Sequence, residues 1–438
     1  MLESFDSLIA WLAQHPEWLG WAIFLVACIE CLALAGILVP GVAILFGLGV
    51  LAGGGVLSLG ETLLLALSGG LLGDALSYAI GRRFHQRIRR LPLLRDHPEW
   101  LDSAEQYMRR YGVGSLLIGR FIGPLRPMLP LMAGMLDMPL GRFLAVSVLA
   151  ACGWSVAYLL PGWATGAALR LPLPEGFWGQ AGVVAGGLGA WLLLSIHSGL
   201  RQQPRAAALA SGLGAVLLIG LLLGWKHLNE FDQGLLALLQ SERSPALDSL
   251  MVLATRLGDF TSQLAVAGLL VTLLVLSRQW RAALFAGSAL LFTALSNGAL
   301  KHLLARTRPQ VLLDPLHSYS LPSGHSSAAF AFCLVLALLA GRGQPPRWRL
   351  TWLLLASLPA SSIALSRVYL GAHWPSDILA GALLASCWCA LCMALCERQQ
   401  PLPALASKVW WLIIPACTAL LLAIATSALP EALLRYRY

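Results

Sequence analysis

Long apolar runs recur from one end of this 438-residue chain to the other, and they constrain its fold more than any other feature. Hydrophobic residues make up 58% of the sequence and charged residues only 12%, whereas soluble domains carry about 25% charged residues. A helix of about 20 apolar residues crosses a hydrocarbon layer of ~30 Å, and runs of this length are too long for transmembrane strands. The sequence therefore predicts an all-α polytopic membrane protein.

Loop composition predicts two domains, at residues 1–200 and 206–400, joined by a short basic linker at 201–205. Residues 401–438 add a further C-terminal transmembrane helix to a six-helix second domain. The spans predicted for this half are Ala207–Leu223, Phe260–Leu276, Ala282–Ala299, Ser326–Ala340, Leu350–Leu365, Ile378–Leu395 and Trp410–Ala428. The first 20 residues hold acidic residues and no basic start, so we expect an interfacial amphipathic helix rather than a cleavable signal peptide.

The net charge of +9 reflects membrane topology rather than nucleic-acid binding, because the arginines lie in short loops between apolar runs. In the second half these basic loops fall on one side of the predicted bundle, which we assign to the cytoplasm. Lys301, His325 and His373 then fall on the other side, facing the periplasm or cell exterior. A bacterial inner membrane is the predicted location.

Four charged residues lie inside apolar segments of the first half. Glu30 lies within Ala22–Val39, Asp74 lies within Leu63–Ile80, and Arg120 and Arg126 lie in a proline-broken segment at 112–140. A buried carboxylate costs ~2.5 kcal/mol or more in a membrane helix, so such residues are functional candidates by default. The alternatives for Glu30 are a helix that stays near the interface and a protonated side chain. Basic residues on both flanks predict that segment 112–140 is re-entrant.

This half resembles the DedA family, also called the SNARE-associated or VTT family. The resemblance implies two opposed re-entrant hairpins and lipid translocation, including return of undecaprenyl phosphate to the cytoplasmic leaflet, with protons as a candidate coupling ion. Many members carry a carboxylate where this chain has Val42, so Glu61 and Asp74 are candidates for a second acid. The resemblance implies transport roles for Glu30, Asp74, Arg120 and Arg126. The matching residues are Glu30, Pro40-Gly41, Gly73-Asp74, Tyr78, Gly81-Arg82, Arg120-Phe121, Pro124, Arg126, Pro130, Ala133-Gly134 and Gly153-Trp154.

Two short stretches of the second half combine cations with a helix start. Lys301 and Arg308 are seven residues apart, which predicts one helix face for both cations before Pro309 ends the helix. Pro322-Ser323-Gly324-His325 precedes an apolar helix, so its backbone N–H groups can bind an anion. Ser323 has an alternative role as an N-cap, which is compatible with phosphate binding.

A third stretch places His373 and Asp377 four residues apart at the start of another helix. This spacing lets the carboxylate accept a hydrogen bond from the imidazole and fix its tautomer. Arg367 adds a guanidinium that can bind phosphate with two N–H groups. Arg306 lies outside this predicted set.

Together the three stretches resemble the type 2 phosphatidic acid phosphatase (PAP2) superfamily over roughly residues 206–400. The resemblance implies that His373 attacks phosphorus and forms a phosphohistidine, that Asp377 orients it, and that His325 protonates the leaving oxygen. It further implies that no metal or cofactor is required. The phosphoryl oxygens would be bound by Lys301, Arg308, Ser323, Gly324 and Arg367.

The sequence favours the first of three functions, and the intact acid–base–nucleophile set argues against the third. The first is hydrolysis of undecaprenyl pyrophosphate at the outer leaflet, followed by inward return of the lipid phosphate. The second is a phosphatase of phosphatidate, phosphatidylglycerophosphate or a lipid A phosphate, fused to a general lipid scramblase. The third is a membrane scaffold or ion-coupled transporter without phosphatase activity. The oligomeric state is not predicted.

Overall fold

The chain is described by a computed structural model that covers residues 11–437 apart from 13, 34, 85–101, 103–104, 107, 109–113, 121–125, 201–204, 315, 317, 399 and 428. All regular structure in these residues is helical. They form two compact units, Met1–Pro172 and Leu173–Tyr438.

Eight helices of the described ranges are long and apolar enough to cross a membrane. The helices Pro245–Leu257 and Phe260–Leu276, which meet at a bend of 47°, form a ninth candidate span. The protein is therefore a multi-pass helical membrane protein, and the prediction from the apolar runs is confirmed.

The first unit contains short helices and two long spans. Its helices are α1 (Leu19–Cys31), α2 (Ala35–Leu38), α3 (Gly41–Leu51), α4 (Leu59–Phe84), α5 (Gly114–Gly119), α6 (Met128–Met135) and α7 (Leu140–Arg170). A π-helical turn, Ala52–Val56, follows α3. The path of segment 112–140 between α5 and α6 includes residues outside the described part, so its re-entrant course remains a prediction. The sequence also predicts a cytoplasmic basic patch from Arg82 to Arg95 and an amphipathic helix at 100–110, and most of these residues lie outside the described part.

Helix α4 is the centre of the first unit, because it packs against α1, α6 and α7. Gly73 makes the contact with α1 so close that a Cβ atom there would collide with the carbonyl oxygen of Cys28. This close packing buries Asp74, the next residue of α4, inside the unit.

The second unit contains the predicted six-helix bundle and further helices around it. Its helices are α8 (Phe177–Leu200), α9 (Ala206–Gly224), α10 (Asn229–Gln240), α11 (Pro245–Leu257), α12 (Phe260–Leu276), α13 (Trp280–Leu304), α14 (Gly324–Ala340), α15 (Pro346–Tyr369), α16 (Pro375–Cys396), α17 (Ser407–Ser427) and α18 (Leu429–Arg435). The main apolar core lies between α12, α13, α14, α16 and α17. The loops α13–α14 and α15–α16, together with the helix ends that border them, carry the predicted site residues.

The compact units differ from the predicted domains in one helix. The sequence analysis assigned residues 177–200 to the first domain, whereas α8 packs on α9, α10 and α15 within the second unit. The Trp191 indole N–H donates to the carbonyl of Ala210 at 3.0 Å, and Gln180 accepts from the backbone N–H of Phe231 at 2.9 Å. These contacts join residues before the basic linker to residues after it. The linker therefore connects two helices of the second unit rather than the two units.

Candidate active site

The end of α13 sets the directions of the cationic side chains. Ala305 adopts a left-handed backbone conformation with φ 45° and ends the helix at Leu304. The prediction that Lys301 and Arg308 share one helix face is therefore wrong, because Arg308 lies in the loop after the helix. Both cations still reach the same loop. Lys301 Nζ donates to the carbonyl of Tyr319 at 2.6 Å, and Arg308 Nε donates to that of Ser318 at 2.6 Å.

The start of α14 lies next to Lys301. Ser323 is the N-cap of this helix, and its hydroxyl oxygen accepts from the N–H of Ser326 at 3.4 Å. A Cβ atom on Gly324 would lie 3.9 Å from Lys301 Cε and 3.5 Å from Asn297 Oδ1, so the glycine borders the cation directly. An anion at this position would meet both an ammonium group and the positive end of the helix dipole.

His373 lies between Arg308 and Asp377. Its Nδ1 atom is 3.3 Å from Asp377 Oδ2 and 3.2 Å from the hydroxyl of Ser320, which in turn donates to Asp377. Its Nε2 atom is 2.9 Å from Arg308 Nη1. The carboxylate therefore holds one ring nitrogen while the other faces a guanidinium, which is the arrangement of an oriented nucleophile next to an anion site.

Burial and nearby cations determine the charge of this histidine. Burial, followed by the positive charges of Arg308, Arg367 and Lys301, lowers the pKa of His373 well below the usual value. Burial and Arg367 also lower the pKa of Arg308 to about 10, so that the guanidinium stays charged at neutral pH. The imidazole is consequently neutral and has a lone pair available for attack.

Arg367 reaches the site from the end of α15 and is almost fully buried. Its Nη1 atom donates to the hydroxyl oxygens of Thr255 and Tyr436, each at 2.7 Å, and its guanidinium lies 5.6 Å from the Tyr436 ring centre. Arg367 Nε has no hydrogen-bond partner among the described residues. Thr255 and Tyr436, which accept these two hydrogen bonds, were not predicted, because no sequence motif includes them.

His325, on the first turn of α14, contacts a carboxylate that was also absent from the predicted set. His325 Nε2 lies 2.9 Å from Asp259 Oδ1. Asp259 occupies the bend between α11 and α12, and its other oxygen lies 3.5 Å from Arg256 Nη1. The site thus contains two Asp–His pairs rather than one.

Arg306, which was not among the predicted site residues, is buried and contacts Asp377. Its Nη1 atom donates to Asp377 Oδ1 at 2.8 Å, and its Nη2 atom donates to Asp232 Oδ2 at 2.6 Å. Asp232 also accepts from the N–H of Ser376 at 2.8 Å and from its hydroxyl at 2.6 Å. This network holds Asp377 through its Oδ1 atom, whereas His373 contacts its Oδ2 atom. Arg306 was within reach of sequence reasoning as a third cation beside the lysine motif, whereas Asp232 had no local signal.

The four membrane charges of the first unit form a second, separate cluster. Asp74 on α4 pairs with Arg120, and Glu30 on α1 pairs with Arg126, with Oε1 and Nη2 2.5 Å apart. All four side chains are buried. A Cβ atom on Gly41 would lie 2.5 Å from Glu30 Cγ, so the Pro40-Gly41 turn makes room for this carboxylate. Glu61, the other candidate acid, instead accepts from Ser58 at the start of α4.

This first-unit charge cluster contains polar atoms that lack partners among the described residues. They are Glu30 Oε2, Asp74 Oδ1, Arg120 Nε, Arg126 Nε and Trp154 Nε1. The guanidinium of Arg120 lies 5.0 Å from the Trp154 ring centre. A cavity of about 10 Å³ lies beside Asp74, Arg120 and Arg126, which is enough for one water molecule. Buried polar atoms next to a small cavity are the usual sign of a bound water or a polar ligand group.

Two family models match the chain. The one described as VTT domain covers residues 39–164, and the one described as PAP2 superfamily covers residues 282–401. No described group of three or more His, Cys, Asp and Glu side chains is arranged to hold a metal ion.

Curated relatives match one half of the chain each. Inner membrane protein YabI of Escherichia coli (strain K12) is 37% identical over 174 residues, which are 40% of this chain and 65% of the relative. The chain covers less than two thirds of the length of this and the next such relatives. An undecaprenyl-diphosphatase of Sulfolobus acidocaldarius is 27% identical over 188 residues, which are 41% of this chain and 85% of that protein.

Among solved structures, the crystal structure of a transmembrane PAP2-type phosphatidylglycerolphosphate phosphatase from Bacillus subtilis matches with a TM-score of 0.40 and 23% identity. The match covers 43% of this chain and 97% of that one. The two family matches do not overlap. The PAP2 match contains all the residues on which that resemblance rests, and the VTT match contains those of the DedA resemblance apart from Glu30. Residues 39–164 thus match the VTT domain and residues 282–401 match the PAP2 superfamily, which supports a fusion of the two.

Proposed function

We propose that the second unit hydrolyses a lipid phosphate through a phosphohistidine on His373. The observation that carries this proposal is the position of the His373 ring. Asp377 holds Nδ1, while Nε2 faces Arg308. Nε2 is therefore the nitrogen that attacks phosphorus, at a position where Arg308, Lys301 and Arg367 can bind the phosphoryl oxygens as their charge develops.

The reaction proceeds in two displacements. In the first, the Nε2 lone pair of His373 forms a bond to phosphorus, the bond to the leaving oxygen breaks, and that oxygen takes a proton from His325. In the second, water attacks the phosphohistidine while His325 accepts a proton from it, and the N–P bond breaks to release inorganic phosphate. Ser323 and Gly324 contribute N–H groups at the start of α14 to phosphate binding.

The substrate we propose is undecaprenyl pyrophosphate on the outer leaflet of a bacterial inner membrane. Two arguments support it. The distribution of basic loops favours a position of His325 and His373 on the side away from the cytoplasm, and a relative of the second half is named as an undecaprenyl-diphosphatase. Phosphatidate, phosphatidylglycerophosphate and lipid A phosphates are the alternative substrates, because the polar site alone recognises a phosphate.

For the first unit we propose transport of the lipid monophosphate back to the cytoplasmic leaflet, through Glu30, Asp74, Arg120 and Arg126. The product of the second unit then has the chemistry of the cargo of the first. Covalent fusion raises the local concentration of this shared lipid near the transporter. Proton coupling through Glu30 or Asp74 is part of the proposal.

A substrate panel tests the enzymatic part. Purified full-length protein is incubated in micelles with undecaprenyl pyrophosphate, phosphatidate, phosphatidylglycerophosphate and a lipid A phosphate, and released phosphate is measured. We expect the highest kcat/KM with undecaprenyl pyrophosphate. Efficient hydrolysis of the other lipids without hydrolysis of this one would contradict the substrate but not the reaction. Release of phosphate from none of them would contradict both.

A further inference from the structure

The bend between α11 and α12 lies before the residues matched by the PAP2 family model, yet it contacts two predicted site residues. Thr255 accepts a hydrogen bond from Arg367, and Asp259 contacts His325. A Cβ atom on Gly258 would lie 3.2 Å from Cδ2 of the His325 ring, so the bend packs directly against the imidazole. The bend therefore borders the candidate active site through its contacts with Arg367 and His325.

We propose that Asp259 is a positioning residue for His325, and that it stabilises the protonated ring that donates to the leaving oxygen. This inference rests on the proposed phosphatase function and deepens it. Because Asp259 engages Nε2 at 2.9 Å, the nitrogen left to face the leaving group is Nδ1. Among the described residues, Nε2 is the ring atom of His325 with a hydrogen-bond partner.

Asp259 is itself held in place. Its Oδ2 atom lies 3.5 Å from Arg256 Nη1. Arg256 also donates from Nε to the carbonyl of Ala425 and from Nη2 to that of Ile424, both at 3.0 Å. Helix α17, the additional C-terminal span, therefore anchors the arginine that orients the carboxylate. This gives a helix outside the six-helix bundle a defined part in the site.

The two Asp–His pairs differ in a way that suits their two roles. Asp377 is fully buried and accepts from Ser320, Arg306 and the backbone N–H of Trp374, so several donors share its charge. The Asp259 and His325 side chains are 29% and 21% exposed, and one arginine at 3.5 Å accompanies the carboxylate. The Asp377–His373 pair orients a neutral nucleophile, whereas the Asp259–His325 pair can stabilise an imidazolium.

An imidazolium at His325 requires a nearby anion. The charged groups that face this histidine are Asp259 from the bend, Arg367 from α15 and Arg308 from the loop after α13. Two of the three are cations and oppose protonation, so Asp259 is the group that offsets them. As the leaving oxygen takes the Nδ1 proton, the ring becomes neutral and keeps its Nε2–H bond to Asp259. In the second displacement, water returns a proton to Nδ1.

The test compares two leaving groups in Asp259→Asn. The substrates are a lipid phosphate, whose alkoxide needs a proton to leave, and an alkyl-chain nitrophenyl phosphate, whose phenolate leaves without one. We expect kcat for the lipid phosphate to fall by about 10–100-fold, the range for loss of a partner that orients a catalytic histidine. The rate with the nitrophenyl phosphate should change by less than about threefold.

Two further readouts separate positioning from a structural role. The basic limb of the pH–rate profile should move to lower pH in Asp259→Asn, because the amide stabilises the imidazolium less than the carboxylate does. The double variant with His325→Ala should lose no more activity than His325→Ala alone. Asp314→Asn, which changes an exposed carboxylate of the same unit, is the matched control and should behave as wild type.

If Asp259→Asn lowered the rates with both substrates equally and left the pH–rate profile unchanged, the inference would be overturned. Wild-type rates with both substrates would also overturn it. If Asp259→Asn does not fold, Asp259→Glu moves the carboxylate by one methylene group. The ratio of lipid to nitrophenyl rates should then fall by more than about threefold, and an unchanged ratio overturns the proposal. Failure of the phosphatase function itself is distinguishable, because wild-type protein would then release no phosphate from any lipid.

Discussion

The two charged regions of this protein differ in whether their cations are paired with carboxylates. In the first-unit charge cluster each guanidinium has its own carboxylate, Asp74 for Arg120 and Glu30 for Arg126. In the candidate active site, Lys301, Arg308 and Arg367 donate to carbonyl and hydroxyl oxygens and to His373 within the described residues. These three cations are therefore not paired with carboxylates, whereas the first-unit cluster is neutral as a set.

This difference indicates how each region handles an anion. Uncompensated cations attract a phosphate without any rearrangement of the protein, which suits a reaction that must stabilise charge in its transition state. A neutral cluster can bind an anion strongly only if an internal ion pair opens or a carboxylate takes a proton. That requirement is compatible with the transient binding that transport needs. The following predictions test this contrast, from the largest expected effect to the smallest.

The largest effect is expected in His373→Ala. This substitution removes the proposed nucleophile, so phosphate release should fall by about 10⁴-fold or more. Transport of a lipid monophosphate, measured separately in vesicles, should remain at the wild-type rate. His197→Ala, which removes an exposed histidine from the same unit, should leave both activities unchanged. Retention of phosphatase activity by His373→Ala would remove the basis of the contrast.

The reciprocal effect is expected in Glu30→Gln. Loss of this carboxylate leaves Arg126 buried without its partner, and breaking a buried pair costs ~3–5 kcal/mol. We expect transport to fall by about 100-fold or more, while phosphate release stays within about twofold of wild type. Glu61→Gln is the control, because Glu61 is an exposed carboxylate that contacts Ser58. Equal loss of transport in both variants contradicts a specific role for Glu30.

A smaller effect is expected in Asp232→Asn, which weakens the network behind Asp377. We expect kcat for the lipid phosphate to fall about tenfold, with KM within about threefold of wild type. The melting temperature in detergent should also decrease, because Arg306 loses one of its two carboxylates. Gln233→Ala changes the neighbouring exposed residue and serves as the control. A wild-type kcat in Asp232→Asn shows that Asp377 needs no support from this network.

The smallest effect concerns pH and stability. The pKa of His373 is lowered in the folded protein, whereas an unfolded histidine titrates near 6.5. Below about pH 6.5 the unfolded chain therefore binds a proton that the folded chain does not, and folded stability falls. This loss grows as the pH falls from about 7.5 to 5.5 and is on the order of 1 kcal/mol.

The variant His373→Asn lacks this contribution, so its unfolding free energy should decrease less over the same range than that of wild type. Chemical unfolding in detergent at both pH values measures the difference. His197→Asn, which changes an exposed histidine of the same unit, is the matched control. Identical pH dependence in wild type and His373→Asn indicates an ordinary histidine at this position.

Local sequence patterns predicted the parts of the site that lie within one helix turn. His373 and Asp377 are four residues apart at the start of α16, and such spacing places side chains in contact. The pairing of Lys301 with Arg308 on a helix face was wrong, because Ala305 turns the backbone after Leu304. The seven-residue spacing of Lys301 and Arg308 does not reveal that the helix ends between them. That end depends on the left-handed backbone conformation of Ala305.

The remaining site residues were hidden by distance along the chain. Arg306 reaches Asp377 across 71 residues, His325 reaches Asp259 across 66, and Arg367 reaches Tyr436 across 69. Such contacts depend on how helices pack, and a single sequence holds no local signal for them. The same reason explains why no sequence signal indicated that α8 packs within the second unit, since its apolar composition fits either unit equally well.

The most direct test of the account is isolation of the covalent intermediate. Protein mixed with a lipid substrate labelled with ³²P in its terminal phosphate is quenched in alkali within milliseconds, and the labelled peptide is mapped. The account predicts an alkali-stable, acid-labile phosphohistidine on His373, present in wild type and absent from His373→Ala. Release of phosphate by wild-type protein with label on another residue would contradict it.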